Sequence, residues 1–413
     1  MEARQRPPDR QSGPVLVIVA PGQGAQTPGF LTPWLADRTF ASRIEWLATV
    51  AGLDLVHFGT EADADTIRET QIAQPLLVAT GLVAALELFP HPTDAFETVT
   101  AVAGHSVGEL TAAAGARVIT AEQAMVLVRE RGKAMAEAAA VTPTGMTAVL
   151  GGDREEILAA LDQHGLTPAN DNGPGQIVAA GTMEQLAAFA AEPPAKARLM
   201  PLSVAGAFHT DHMAPAVGHL GHLARSVSVH DARLPVISNK DGHVIHEGRD
   251  VLARLVGQIA SPVRWDLCLE TMSDLGVTGI LEMPPAGTLT GIARRFFGKG
   301  ALKKVETFAL KTPDQLDEAR AFVQRHGEAA PMDISPTWRM VVSPAKGTFH
   351  VATEAADSAL LTPGQPIGDV SSLRDRHSVV ALHGGQVVEW LVEDGDLVSP
   401  GQPLIRLHPN GVS

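Results

Sequence analysis

Two kinds of apolar stretch alternate along the first three quarters of the chain. Short runs with almost no polar relief, residues 15–20 and 99–103, read as strands buried on both faces, because such a run leaves no side for solvent. Longer stretches, residues 74–88 and 121–140, read as helices, the second carrying several arginines. That alternation predicts a parallel, doubly wound α/β sheet. Over residues 145–209 the pieces shorten, with strands at 146–150, 176–180 and 198–204 around helices at 155–164 and 183–191. A small subdomain is therefore expected as an insertion at about 143–207. The longer pattern resumes with strands at 234–238 and 279–283 and a following helix, then fades near Gln324 into Gly327-Glu328-Ala329-Ala330-Pro331.

Beyond that point helical periodicity vanishes, and glycine, proline and valine dominate in strand-length pieces. The segment repeats itself. Pro363-Gly364-Gln365-Pro366-Ile367 recurs as Pro400-Gly401-Gln402-Pro403-Leu404, a shift of 37, and Gly347-Thr348-Phe349 is echoed by Gly385-Gln386-Val387, a shift of 38. A duplicated half-barrel is the natural reading. The expected layout is a disordered leader at 1–13, an α/β domain at 14–322, a linker at 323–336 and a small all-β domain at 337–410.

Composition narrows the function classes. A chain of 413 residues divides into two or three domains at roughly 100–200 residues each. The formal net charge of −14 argues against a nucleic-acid surface, which needs concentrated Lys and Arg. Cys268 is the only cysteine, so no intrachain disulfide forms. The start of the chain is polar rather than signal-like, and runs such as 15–20 fall far short of a membrane span. A cytoplasmic protein that binds neither nucleic acid nor membrane is expected.

Chemistry concentrates at Gly104-His105-Ser106-Val107-Gly108-Glu109, a serine between two glycines, after a predicted strand and before a helix-forming run. Such a strand-to-helix turn holds the serine in a strained conformation and lifts its hydroxyl to a helix N-terminus, where free N–H groups stabilise a forming anion. Alone, the motif serves an esterase, a lipase, a thioesterase or a structural turn equally well.

Other motifs accompany it in order: Pro21-Gly22-Gln23-Gly24-Ala25-Gln26, Gln74-Pro75, Arg131-Gly132, Asn170-Asp171-Asn172-Gly173-Pro174-Gly175-Gln176, Gly206-Ala207-Phe208-His209, Ser238-Asn239, and Gln258 with Ser261-Pro262-Val263-Arg264-Trp265. Through them, residues 14–320 resemble the malonyl-CoA:acyl-carrier-protein transacylase family, which includes the acyltransferase domains of polyketide synthases. The resemblance implies a parallel-sheet, α/β-hydrolase-like core with an inserted ferredoxin-like subdomain. It makes Ser106 the nucleophile and His209 its general base, oriented by the backbone carbonyl of Gln258 instead of an acid. It assigns the oxyanion hole to the backbone N–H groups of Gln23 and Val107. Arg131 becomes a clamp whose two parallel donors fit the free carboxylate of a malonyl group. Phe208 sits where a bulky ring leaves little room for a methyl branch on that group, worth roughly 1–3 kcal/mol. Gln74, His105 and Gln176 are expected around the pocket, and Asn170 and Asn172 either there or in structural turns.

The substrates so implied are malonyl-CoA and the phosphopantetheine thiol of an acyl carrier protein, for fatty acid or polyketide synthesis, with no covalently bound cofactor and no metal. The basic run from Arg294 to Lys304 is a place where an acidic carrier could be steered. Where the family has Glu-x-Gly-Pro, this chain has Glu282-Met283-Pro284-Pro285, and proline cannot take the positive φ open to glycine. The rival readings are an acyl hydrolase on the same fold, a malonyltransferase associated with malonate decarboxylase, and a scaffold.

The terminal segment resembles the biotinyl/lipoyl attachment fold. Its attachment lysine belongs on the hairpin between the halves, at 369–378, a stretch that holds Arg374 and Arg376 but no lysine; Lys346 lies too early. An unmodified lipoyl-like module is expected, suited to recruiting a synthase or carboxylase partner.

Overall fold

A computed structural model describes residues 13–204, 206–298, 305–327, 339–356, 358–372, 375–382 and 384–408. The chain forms two compact units that divide after Ala330. The first begins with β1 (Leu16–Ala20) and passes through α1 (Arg38–Ala51), α2 (Leu55–Thr60), α3 (Thr70–Leu88) and α4 (Pro92–Thr98) to β2 (Ala101–Gly104), α5 (Gly108–Gly115) and α6 (Ala121–Ala139). An insertion follows, with β3 (Thr144–Gly151), α7 (Arg154–Gln163), β4 (Thr167–Asp171), β5 (Gln176–Thr182), α8 (Met183–Ala191) and β6 (Ala197–Pro201). The chain returns through α9 (Ala214–Ala224), β7 (Val236–Ile237), β8 (Val244–Ile245), α10 (Gly248–Gly257), β9 (Val263–Arg264), α11 (Trp265–Asp274), β10 (Gly279–Glu282), α12 (Thr288–Phe297), β11 (Glu306–Ala309) and α13 (Leu316–His326).

The main sheet has the order β11-β10-β1-β2-β7-β8, parallel except for the β7–β8 pair. This is a mixed α/β fold. The unbroken run of β1 has a simple cause: Leu16 and Ile18 face the core shared with α1, α3, α5 and α6, while Val17 and Val19 face a second core with α11 and α12. The C-terminal ends of β1 and β2 are neighbours, with Ala20 opposite Gly104. In open parallel sheets that edge is where ligands bind.

Helix α3 corrects one expectation. It is long and apolar enough to cross a membrane, whereas the short strand runs alone suggested that nothing in the chain is; it is mostly buried, with α1, α5 and α6 packed around it. The insertion is an antiparallel sheet in the order β6-β3-β5-β4, to which β9 adds in parallel from the main domain. Strand β4 escaped the sequence reading because Thr-Pro-Ala-Asn-Asp is turn-like by composition; pairing with β5 and β9 extends it, with a bulge at Pro168/Asn170. Strand β6 stops at Pro201 rather than reaching 204, and the 234–238 strand shrinks to two residues. The linker must also start later than 323. Residues 323–326 are the last turn of α13, where Val323 and His326 are buried and His326 Nδ1 meets Thr278 Oγ1 at 3.0 Å. Residues 1–12 of the expected leader and 328–336 of the linker lie outside the described residues.

The second unit contains β12 (Arg339–Val342), β13 (Gly347–Val351), β14 (Leu360–Leu361), β15 (Gln365–Ser371), β16 (Arg376–Ala381), β17 (Gly385–Trp390), β18 (Leu397–Val398) and β19 (Pro403–His408), in two four-stranded sheets, and departs from the expected all-β composition by the one-turn helix α14 (Thr353–Ala356). The internal repeat maps onto them. β13 pairs with β15 as β17 pairs with β19, and the halves interlock because β18 joins β13 while β14 joins β17. The repeated turns match in detail. Gln365 Oε1 accepts from Thr362 N at 2.9 Å and Gln402 Oε1 from Ser399 N at 3.0 Å, beside Gly364 and Gly401 at φ 82° and 80°. At the β15–β16 hairpin Arg376 forks onto Asp369 at 2.6 and 2.7 Å, and Arg374 lies outside the described residues. Lys346 is exposed on the bend before β13.

Phe349 is fully buried at the centre of this small core. Phe349→Ala is expected to cost that unit about 3–5 kcal/mol, read as a lowered midpoint for one of two transitions in calorimetry, the other unmoved.

Candidate active site

Two loops leave the adjoining ends of β1 and β2, and three glycines let them touch. A Cβ on Gly104 would lie 1.9 Å from the carbonyl carbon of Gly108, one on Gly108 would lie 2.2 Å from Ala20 O, and one on Gly22 would lie 2.8 Å from His105 O. Between them Ser106 takes φ 52°, the left-handed region, and its N–H donates to Asn239 Oδ1 at 2.8 Å. The neighbouring Val107 is the N-cap of α5, so its N–H lies at that helix N-terminus. Neither it nor the Gln23 N–H donates a hydrogen bond among the described residues. The Gln23 side chain points elsewhere and donates to Arg68 O at 2.9 Å, anchoring its loop.

His209 arrives from the loop after β6, also in the left-handed region at φ 62°. Its Nε2 stands 2.7 Å from Ser106 Oγ, and its Nδ1 stands 2.8 Å from the backbone oxygen of Gln258. A carbonyl only accepts, so Nδ1 carries the proton and Nε2 is left to accept from the serine hydroxyl. Burial, then the nearby Arg131 cation, pull the imidazole pKa down to about 3, so the ring is neutral.

Arg131 lies on the face of α6 that meets α3. The next residue permits the approach, since a Cβ on Gly132 would sit 3.0 Å from Gln71 Cα. The guanidinium is 2% exposed. It donates to Gln74 Oε1 at 2.6 Å, to Gln258 Oε1 at 3.0 Å and to Ser106 Oγ at 3.3 Å; no carboxylate pairs with it among the described residues. Burial lowers its pKa to about 10, against the pull of the Glu109 charge.

Two residues of this network had no assigned role in the sequence reading, although both stood inside its motifs. Glu109, 3% exposed, accepts from Asn239 N at 2.6 Å and from Gln258 Nε2; burial raises its pKa to about 8. Asn239 donates through Nδ2 to Gly104 O at 2.8 Å and accepts from Gln258 Nε2 at 3.2 Å. Gln258 also donates to Ser106 O at 3.0 Å. One glutamine therefore holds the histidine through its backbone and the arginine through its side chain.

The other expected pocket residues divide. His105 Nε2 meets Asn172 Oδ1 at 2.8 Å, tying the elbow to the insertion, and its ring lies 5.6 Å from that of Trp265. Phe208 is buried in the core beside His209. Gln176 instead accepts from Arg295 at 2.7 Å, and the buried Asn170 Oδ1 has no hydrogen-bond partner among the described residues. At the departure from the expected Glu-x-Gly-Pro segment, Glu282 is fully buried and accepts from Gly287 N, Leu289 N and Thr290 N at 2.8–2.9 Å, with Gly287 at φ 133°. Among the described residues no group of three His, Cys, Asp or Glu side chains is placed to hold a metal ion.

A parallel sheet that presents a serine on a tight turn, a neutral histidine against it and a buried cation beside both fits the α/β enzymes that work through a serine, acyltransferases and hydrolases alike. Residues 17–329 match the family described as acyl transferase domain. The malonyl CoA-acyl carrier protein transacylase of Mycobacterium tuberculosis is 47% identical over 304 residues, covering 74% of this chain and 99% of that protein. That of Bacillus subtilis is 32% identical over 316 residues, covering 74% and 96%. Among solved structures, the Mycobacterium tuberculosis MCAT crystal structure aligns with a TM-score of 0.70 at 46% identity, over 74% of this chain and 99% of that one. A malonyl-transacylase in complex with a type II PKS acyl-carrier protein aligns with a TM-score of 0.67 at 28% identity, with the same coverage. The chain belongs to the malonyl CoA-acyl carrier protein transacylase family.

The buried histidine has a pH signature. A histidine near 6.5 unfolded and about 3 folded stabilises the fold fully above about pH 6.5, and that contribution is lost as pH falls from there toward 3. The NMR signal of His209, assigned by its absence in His209→Ala, is expected not to titrate above about pH 5. In Arg131→Met, which removes the nearby cation, its midpoint should rise; an unchanged midpoint would contradict the electrostatic coupling.

Proposed function

We propose that the protein transfers a malonyl group from malonyl-CoA through an acyl-serine to the phosphopantetheine thiol of an acyl carrier protein, with no bound cofactor. The observation that carries this is the buried guanidinium, paired with no acid among the described residues, 3.3 Å from a serine oxygen that is itself 2.7 Å from a neutral imidazole. A cation so placed is costly until an anion meets it, and the free carboxylate of malonyl is that anion.

The roles follow. His209 Nε2 takes the proton as Ser106 Oγ attacks the thioester carbonyl; the oxyanion forms against Gln23 N–H and Val107 N–H; the tetrahedral intermediate collapses, the C–S bond breaks, and His209 returns the proton to the CoA sulfur. The carrier thiol then repeats the steps in reverse order, losing its proton to His209 and regenerating the serine. Gln258 and Gln74 hold Arg131 in place, His105 and Asn172 brace the elbow, and Phe208 packs beside the malonyl methylene. Arg294 and Arg295, at the C-terminal end of α12, contribute to the basic face for an acidic carrier; Lys299–Lys304 of the same run lie outside the described residues.

The finer fold assignment belongs to the same reading. The main domain, 14–322 extended to the end of α13, is α/β-hydrolase-like, and the β-α-β-β-α-β order of its insertion is that of a ferredoxin-like subdomain. The terminal unit is an unmodified lipoyl-like barrel that engages a synthase or carboxylase partner, in a cytoplasmic protein serving fatty acid or polyketide synthesis.

Intact-protein mass spectrometry with malonyl-CoA is expected to give a malonyl adduct that passes to a carrier protein and is lost in Ser106→Ala; an adduct that only hydrolyses would favour the hydrolase. Arg131→Ala should lower kcat/KM for malonyl-CoA by roughly 10²- to 10³-fold, the cost of removing one partner of a buried charge pair, with little effect on acetyl-CoA. Glu109→Gln keeps the volume but removes an acceptor from Gln258. It should lower kcat more than it raises KM, because it disturbs the His209 and Arg131 supports together.

A further inference from the structure

Away from Ser106, His209 and Arg131, a cavity of about 740 Å³ lies between α1 and α3 on one side and β1, β2 and α5 on the other. Its volume is that of a small-molecule site. The walls are apolar, with Leu47, Leu82, Phe96, Val102 and Met283 among them. At its rim Trp46 and Leu86 are 57% and 39% exposed, so apolar surface runs from solvent into the slot.

The charges at this cavity are not balanced. Arg38, Arg43 and Arg117 line it together with a single acid, Glu122. Arg43 pairs with Glu87 at 2.7 Å, and Glu122 accepts from the Trp46 indole at 3.2 Å. Neither Arg38 nor Arg117 pairs with an acid among the described residues. In a chain of net charge −14 this is a local excess of cation. Arg117 is also held at φ 64°, just past the end of α5, the place where helices usually put glycine. A guanidinium is thus carried on a backbone conformation that favours glycine.

We propose that this cavity is a second ligand site, which takes a single-chain amphiphile with its hydrocarbon tail in the apolar slot and its anionic head on Arg38 and Arg117. Arginine suits such a head because it offers several donors and sheds water more readily than lysine. The site touches the chemistry through one element: Thr111, Ala112 and Gly115 of α5 line the cavity, and the first turn of the same helix carries Glu109 behind Ser106. Two sources share an apolar tail and an anionic head, a free fatty acid through its carboxylate and a long-chain acyl-CoA through its phosphates.

Calorimetric titration of the full chain with dodecanoate below its micelle concentration, and in parallel with lauroyl-CoA, tests the site. Saturable binding with one ligand per chain is expected, with dodecanol at least tenfold weaker. Binding of dodecanoate alone assigns the free acid, binding of lauroyl-CoA alone assigns the phosphate-bearing thioester, and binding of both assigns tailed anions in general. Arg117→Gly, which suits the backbone, should keep the thermal midpoint and malonyl loading while weakening dodecanoate at least tenfold. Ala85→Trp, which narrows the slot, should abolish binding, and Arg131→Ala should leave it unchanged. Absence of saturable binding, equal affinity for dodecanol, indifference to Ala85→Trp or loss in Arg131→Ala would each overturn the assignment.

Discussion

A guanidinium buried to 2% exposure, bonded to amide and hydroxyl oxygens but to no carboxylate among the described residues, is the constraint on which the site depends. Its charge must be held in place, so Gln74 and Gln258 supply oxygens from opposite sides. The charge is also felt by its neighbours. It adds to burial in keeping His209 neutral, which a proton acceptor must be, and it draws Glu109 toward the charged form that burial opposes. A bound carboxylate would offset the charge that all of these neighbours feel.

Gln258 is where these demands converge. Its backbone oxygen fixes the histidine tautomer, its side-chain oxygen takes the arginine, and its amide donates to Glu109, Asn239 and Ser106 O. Glu109 and Asn239 hold that amide from the helix after the elbow and from the loop after β7. The result is a closed set of polar groups, each with partners, in a region that would otherwise penalise every one of them. Such a set is rigid, and rigidity suits a serine and a histidine that both sit at positive φ.

Much of this was legible as motif. The glycines around Ser106 could be read as a tight turn, and the structure supplies the reason in distances no Cβ could tolerate. The internal repeat of the terminal unit was legible too, because its turns reuse the same Gln and Gly. Other features were hidden by their own composition. β4 is spelled in turn-forming residues and is a strand only because β5 and β9 flank it. α13 runs through a stretch that reads as a fading pattern, since its buried face needs only Ala319, Phe322, Val323 and His326. Glu109 and Asn239 looked like punctuation of their motifs, and nothing local marks them as partners of Gln258, 149 residues from one of them.

By itself, the sequence determined what depends on neighbours along the chain: a parallel α/β domain with an insertion, a repeated β unit, a serine on a strand-to-helix turn, and the motifs that hold Arg131 and His209. Tertiary structure decided what depends on distance in space. It placed Nε2 of His209 on Ser106 although 103 residues separate them, removed Arg131 from solvent, and left it without a paired acid among the described residues. Periodicity and turn chemistry are local properties, whereas a pKa shift or an unpaired charge exists only once distant groups have shut out water together.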